Sequence, residues 1–142
     1  MVRSEGKKRL LIVDDEEDLT WSISKSFTKN DNRIETVCVH RGDDALRVLT
    51  DRRIDVVISD IRMPGKDGIQ LLTEVRKHFT DTPVIIISAY GTNEIQDEIV
   101  SHGGSFYIEK PFEISHLRKL VYDVLNLTPP VAEKTTRNSI VA

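Results

Sequence analysis

Short apolar runs recur along this chain, and each pair of runs is separated by enough residues for one helix. The runs are Lys8–Val13 (KRLLIV), Ile34–Val39 (IETVCV), 55–59 (DVVIS), Val84–Ser88 (VIIIS) and 105–109 (SFYIE). Continuous apolarity over so few residues marks strands buried on both faces rather than half-exposed ones. The intervening segments carry helical spacing instead. Leu19, Ile23 and Phe27 form one stripe over 15–29, and Ala45, Leu46, Val48 and Leu49 fall within 41–51. Leu71, Leu72 and Val75, followed by Phe79, mark Gly68–His78, and 92–102 is closed by Gly103 and Gly104. Leu117, Leu120, Val121, Val124 and Leu125 line 113–127.

Five β–α units in series predict an α/β fold, because parallel neighbours need crossover helices: a doubly wound five-stranded parallel sheet with helices on both faces. Val84–Ser88, the most uniformly apolar run, is expected at its centre. One domain over 1–127, with its core over about 8–125, accounts for nearly all of the 142 residues. Pro129 and Pro130 block further helix, and 128–142 has too few apolar residues to pack, so it is expected to be a flexible tail or the start of a linker.

Composition removes several function classes. Twenty Lys and Arg against 23 Asp and Glu are scattered without a basic stripe, so direct nucleic-acid binding by this segment is not expected. No apolar run approaches the roughly 20 residues of a membrane span, and the opening MVRSEGK lacks the apolar core of a secretory signal. The lone Cys38 is expected as a small core residue in a reducing cytoplasm. His40, His78, His102 and His116 lack metal-like spacing and are expected at the surface. Trp21, off the first helix's stripe, is expected to be partly buried on its flank; full exposure would make it a partner hot spot.

The polar residues that close the strands carry the chemistry. Asp14 and Asp15 follow the first run, Asp60 the third, Ser88 ends the fourth, and Lys110 and Pro111 follow the fifth. All fall at the carboxyl edge of the sheet, where open α/β folds bind ligands. Converging carboxylates cannot all ionise comfortably without a cation, and an all-oxygen set suits Mg²⁺, with Mn²⁺ as an alternative occupant. Glu16, Glu17 and Asp18 need no explanation beyond the preference of acids for a helix N-terminus, and capping is also the competing reading for Asp14 and Asp15. Asp60 precedes Ile61-Arg62-Met63-Pro64-Gly65, so no helix begins there for it to cap. A carboxylate beside a divalent cation can attack phosphorus and form an acyl phosphate, with Lys110 contacting the same group. The alternatives are a turn lysine for Lys110 and a backbone-satisfied hydroxyl for Ser88. Pro111 makes the Lys110–Pro111 bond a cis-peptide candidate in a defined turn.

The joint pattern LLIVDDE, VVISDIRMPGKDG, PVIIISAYG and YIEKPF resembles the receiver domain of two-component response regulators, of the chemotaxis-regulator type, over about residues 8–125. The resemblance implies a flavodoxin-like (βα)5 fold and Mg²⁺-dependent transfer of a phosphoryl group from a histidine kinase's phosphohistidine. By position it implies Asp60 as phospho-acceptor, and Asp14, Asp15, Asp60 and the backbone carbonyl of Arg62 as metal ligands. Ser88 matches the switch hydroxyl and Tyr107 the switch aromatic, although Tyr107 reads equally as an ordinary strand aromatic. Arg62 and Tyr90 occupy the positions that tend to set phosphoaspartate lifetime. The implied partners are a sensor histidine kinase or phosphotransfer protein and a downstream target or linked output domain, in a phosphorelay switch that catalyses its own phosphorylation and dephosphorylation. Two departures stand out: the fourth helix is more acidic than the small-residue pattern often seen there, and Gly104 replaces a usual alanine. A haloacid-dehalogenase-type aspartyl-phosphate phosphatase shares the inventory but requires a second Asp where Arg62 stands. A phosphorylation-independent scaffold would be expected to lack acceptor, acidic pair or lysine.

Overall fold

The computed structural model describes residues 6–62, 67–89, 92–103 and 106–130. In chain order these form β1 (Lys8–Val13), α1 (Glu17–Thr28), β2 (Ile34–Val39), α2 (Gly42–Asp51), β3 (Val56–Asp60), α3 (Gly68–His78), β4 (Val84–Ser88), α4 (Asn93–Ser101), β5 (Phe106–Glu109) and α5 (Ile114–Leu125). The strands pair in parallel in the order β2-β1-β3-β4-β5. The centre is therefore β3; β4, expected there, lies one place over, still with a neighbour on each side.

Successive side chains of a strand point to opposite faces, and this divides the core in two. Leu10, Ile12, Ile58, Ile85, Ile87 and Ile108 pack with Ile23 and Phe27 of α1 and Leu117, Val121 and Leu125 of α5. Leu11, Val13, Val57, Val84 and Ile86 pack with Ala45, Leu49, Leu71, Leu72, Val75 and Ile99 of α2, α3 and α4. The two layers are why the sequence runs are continuously apolar.

Element ends shift where side chains intervene. Asp55 stays outside β3 because its carboxylate accepts the Arg9 backbone N–H at 2.9 Å. Asn126, at φ 61°, stops α5 two residues before the expected 127, its N–H turned back to the carbonyls of Tyr122 and Asp123. Gly103, at φ +93°, ends α4; a Cβ there would sit 2.7 Å from Arg76 Cγ. The Arg76 guanidinium needs that space, because it donates to the carbonyls of Gly103, Thr80 and Thr82 at 3.1, 2.7 and 2.9 Å. Gly104 lies outside the described residues.

Several surface expectations are corrected. Trp21 is 62% exposed, since a position two residues from both Leu19 and Ile23 falls on the far side of a 3.6-residue turn; the Lys25 ammonium lies 5.8 Å from its ring. Cys38 is only half-buried because β2 is an edge strand, and its thiol donates to the Thr20 carbonyl at 3.6 Å. His40 and His102 are half-buried rather than at the surface: His40 Nε2 lies 3.2 Å from Thr20 Oγ1, and His102 Nδ1 lies 2.8 Å from the Glu98 carbonyl. Arg118, with no apolar signature, is 8% exposed in α5, its guanidinium over the rings of Phe27 and Tyr122 at 5.4 and 5.7 Å.

At the amino edge of the sheet a clamp centred on the buried Asp31 joins the loop between α1 and β2 to α5. Asp31 accepts Arg33 N–H groups from backbone N and Nε at 2.9 Å and from Nη2 at 2.8 Å, and the Tyr122 hydroxyl at 2.8 Å. The Arg33 hydrogen bonds hold the Asp31 carboxyl down at about 2. Arg33 Nη2 also donates to the Thr128 carbonyl at 2.7 Å, fixing the chain as it leaves α5.

Candidate functional site

At the opposite, carboxyl edge, the strand register brings the reactive groups together. Asp14 continues β1, its N–H donating to the Val39 carbonyl at 3.2 Å. Asp60 is the last residue of β3 and pairs with Ile87; Ser88 is the last of β4. Lys110 follows β5 with its N–H on the Ser88 carbonyl at 2.8 Å, and the Lys110–Pro111 peptide is cis. The side chains then converge. Lys110 Nζ lies 3.2 Å from Asp60 Oδ2 and 3.5 Å from Asp14 Oδ2. One carboxylate oxygen each from Asp14, Asp15 and Asp60 falls within 4.8 Å of the others.

Asp14 is 3% and Asp60 8% exposed, whereas Asp15 faces solvent. Burial raises the Asp14 carboxyl to about 6, and the charge of Asp60 adds to the rise. The Glu16 backbone N–H, donating to Asp14 Oδ1 at 2.9 Å, and Lys110 oppose it without cancelling it. Burial works against the Lys110 ammonium, but Asp60 and Asp14 outweigh it and leave the group firmly protonated. One lysine thus faces more negative charge than it neutralises. An all-oxygen donor set of this kind suits Mg²⁺, whose charge would reverse the upward pressure on Asp14.

Local packing fixes the Asp60 carboxylate. Its Oδ1 accepts the Ile61 N–H at 2.7 Å, leaving Oδ2 toward Lys110. Beneath it, Gly68 at the start of α3 donates its N–H to the Ile61 carbonyl at 2.8 Å. A Cβ on residue 68 would collide with the Asp60 carbonyl oxygen and lie 2.6 Å from Ile61 Cα, so only glycine lets α3 start this close. The helix start is set by Asp67 and Gln70, each side chain accepting the other's backbone N–H at 2.9 Å.

Ser88 is fully buried. Tyr107 pairs with Ile86, two residues before Ser88, so Tyr107 and Ser88 share one face of the sheet. The Tyr107 hydroxyl is buried without a hydrogen-bond partner among the described residues, and burial, with Glu109 adding, pushes its phenol up. Arg62 is exposed two residues past Asp60; Tyr90 and residues 63–66 lie outside the described residues.

The profile of the response regulator receiver domain matches residues 10–122, most of the chain. The chain belongs to this family. The receiver domain is 41% identical to regulatory protein AtoC of Escherichia coli over 119 residues, 84% of this chain and 25% of that protein. It is 33% identical to the DNA-binding transcriptional regulator NtrC of Klebsiella pneumoniae over 110 residues, 78% of this chain and 23% of NtrC. It thus spans about a quarter of the length of these two relatives. The solved receiver domain of Francisella response regulator 1452 superposes with a TM-score of 0.77 at 34% identity, covering 83% of this chain and 96% of the other. The flavodoxin-like expectation holds: the fold is that of a two-component receiver domain, a signalling module. Among the described residues no helix is long and apolar enough to cross a membrane.

One site residue escaped the sequence. Glu16 Oε1 lies 3.5 Å from Lys110 Nζ. Acidic preference at a helix N-terminus accounts for its residue type, and nothing in the local pattern reveals a partner 94 residues away.

Proposed function

We propose that this receiver domain takes a phosphoryl group onto Asp60 from the phosphohistidine of a sensor histidine kinase or phosphotransfer protein. The N–P bond of the donor breaks as an O–P bond to the Asp60 carboxylate forms. Hydrolysis later transfers the group to water and releases inorganic phosphate. The carrying observation is that Asp60, fixed at the end of β3, faces Lys110 at 3.2 Å within an acidic trio that can hold a cation.

In this reading Asp14, Asp15, Asp60 and the Arg62 backbone carbonyl hold Mg²⁺ or Mn²⁺, which when bound neutralises charge on the transferring oxygens. Lys110 donates to a phosphoryl oxygen from the other side, and its anchorage on the Ser88 carbonyl keeps it over Asp60. Ser88 donates its hydroxyl to the bound phosphoryl group. Tyr107, on the same face, moves with it, and the surface around α4 changes its affinity for a target. The orphaned Tyr107 hydroxyl supports a two-state role, because a buried unpaired hydroxyl costs free energy in this arrangement and favours any other that satisfies it. Arg62 and Tyr90 set how long the phosphoryl group persists. Residues 1–127 act as the switch, in the cytoplasm. Residues 128–142 lead toward an output domain, as the larger size of AtoC and NtrC suggests, or end as a tail.

Incubation with acetyl phosphate and Mg²⁺ should add the mass of one phosphoryl group to the protein, and Asp60→Ala should not gain it. An unmodified wild type, or an undiminished gain in Asp60→Ala, removes the assignment.

A further inference from the structure

Glu16 stands at the N-cap of α1, yet its carboxylate accepts no capping hydrogen bond. It reaches the Lys110 ammonium instead, at 3.5 Å. The three carboxylates around that ammonium differ in kind. Asp14 and Asp60 are buried at strand ends, and both belong to the oxygen trio that fits a cation. The Glu16 side chain is 65% exposed, lies outside the trio and approaches from solvent. The ammonium donates hydrogen bonds to Asp14 and Asp60, and Glu16 adds an ion pair from the solvent side. A phosphoryl group that arrives over Asp60 and contacts this ammonium therefore competes with these carboxylates for it. A bound cation would be held by Asp14 and Asp60, which would leave Glu16 as the carboxylate outside the metal set that keeps Lys110.

We propose that Glu16 is a positioning residue that holds the outward side of the Lys110 ammonium in an ion pair until a phosphoryl group displaces it, and so slows capture from small anionic donors. The proposal rests on the phospho-acceptor reading of Asp60. Two effects act in the same direction: the displaced ion pair must be given up, and a negative charge beside the entry path repels a doubly charged donor. A donor delivered by a docked protein makes other contacts that offset this cost, so Glu16 favours protein donors over free ones.

Glu16→Gln keeps the side chain's size and the backbone N–H that donates to Asp14, and replaces an exposed residue, so the fold should survive. With acetyl phosphate at saturating Mg²⁺, the rate constant for mass gain should rise about three- to tenfold in Glu16→Gln. Raising the salt concentration should speed the wild type more than the variant, because only the wild type has this repulsion to screen. Glu16→Asp, which keeps the charge but is one methylene shorter, should fall between the two. In metal-free protein, the Lys110 ammonium ¹H–¹⁵N signal should exchange with solvent several-fold faster in Glu16→Gln. Wild-type phosphorylation at Asp60 with an unchanged or slower Glu16→Gln rate overturns this inference alone, as does unchanged ammonium exchange. A wild type that gains no mass overturns both this inference and the phospho-acceptor reading.

Discussion

Two buried carboxylates at opposite ends of the sheet meet cations under opposite conditions. Asp31, at the amino edge, receives four hydrogen bonds from Arg33 and Tyr122 and is held at about 2. Asp14, at the carboxyl edge, is at least as buried but shares one lysine with Asp60 and Glu16, and rises to about 6. Burial acts on both. The difference lies in satisfaction: Asp31 has a complete partner set within the chain, whereas Asp14 is left short of positive charge. The first arrangement is complete without any ligand, and the second is one whose charge a cation would balance.

The largest test of this contrast is Asp31→Ala. It leaves the Arg33 fork and the buried Tyr122 hydroxyl without their acceptor and should cost about 3–4 kcal/mol in urea unfolding. A loss below about 1 kcal/mol would show that the clamp is no tighter than an exposed ion pair.

Asp14→Asn should act with the opposite sign, stabilising the metal-free protein at pH 7 by about 2 kcal/mol while weakening Mg²⁺ binding. The pH dependence follows from the same shift. The folded Asp14 keeps its proton up to about 6, against 3.8 ordinarily. Between those values the folded state binds more protons than the unfolded one, so stability falls as pH rises through the window. About 3 kcal/mol is lost by pH 7, less whatever relaxation recovers. Asp31 behaves in reverse, because its folded value lies below its unfolded one: its contribution of about 2 kcal/mol is full above roughly pH 4 and is lost as pH falls toward 2. Unfolding curves for Asp14→Asn and Asp31→Ala across pH 2–8 should separate the two slopes. Parallel curves would remove the contrast.

The smallest effect belongs to Tyr107→Phe. Deleting a buried hydroxyl that has no partner should stabilise the unphosphorylated protein by about 1 kcal/mol. Destabilisation would mean that the hydroxyl is satisfied in solution.

Most of the fold was legible because burial on both sheet faces writes itself into short apolar runs, as in β1 and β4. The strand-end position of Asp60 was legible for the same reason, since a carboxylate directly after such a run has nowhere to lie but the carboxyl edge. What periodicity could not reveal were pairings across long sequence separations. Tyr122 and Asp31 are 91 residues apart, and Glu16 meets Lys110 only after five strands have aligned. Arg118 carries no sign of burial in the sequence, because its burial depends on two rings, one of them on another helix. Trp21 erred in the other direction, its size suggesting cover that its helix position does not supply.

Arg33's grip on the Thr128 carbonyl has a mechanical consequence. Together with the left-handed turn at Asn126 it makes the start of the C-terminal segment a bracket rather than a swivel, held at a set place at the amino edge. A strand of six residues spans about 20 Å, so the carboxylates and this bracket stand a full sheet-length apart. Anything attached beyond Pro130 would therefore begin at the end of the sheet opposite Asp60.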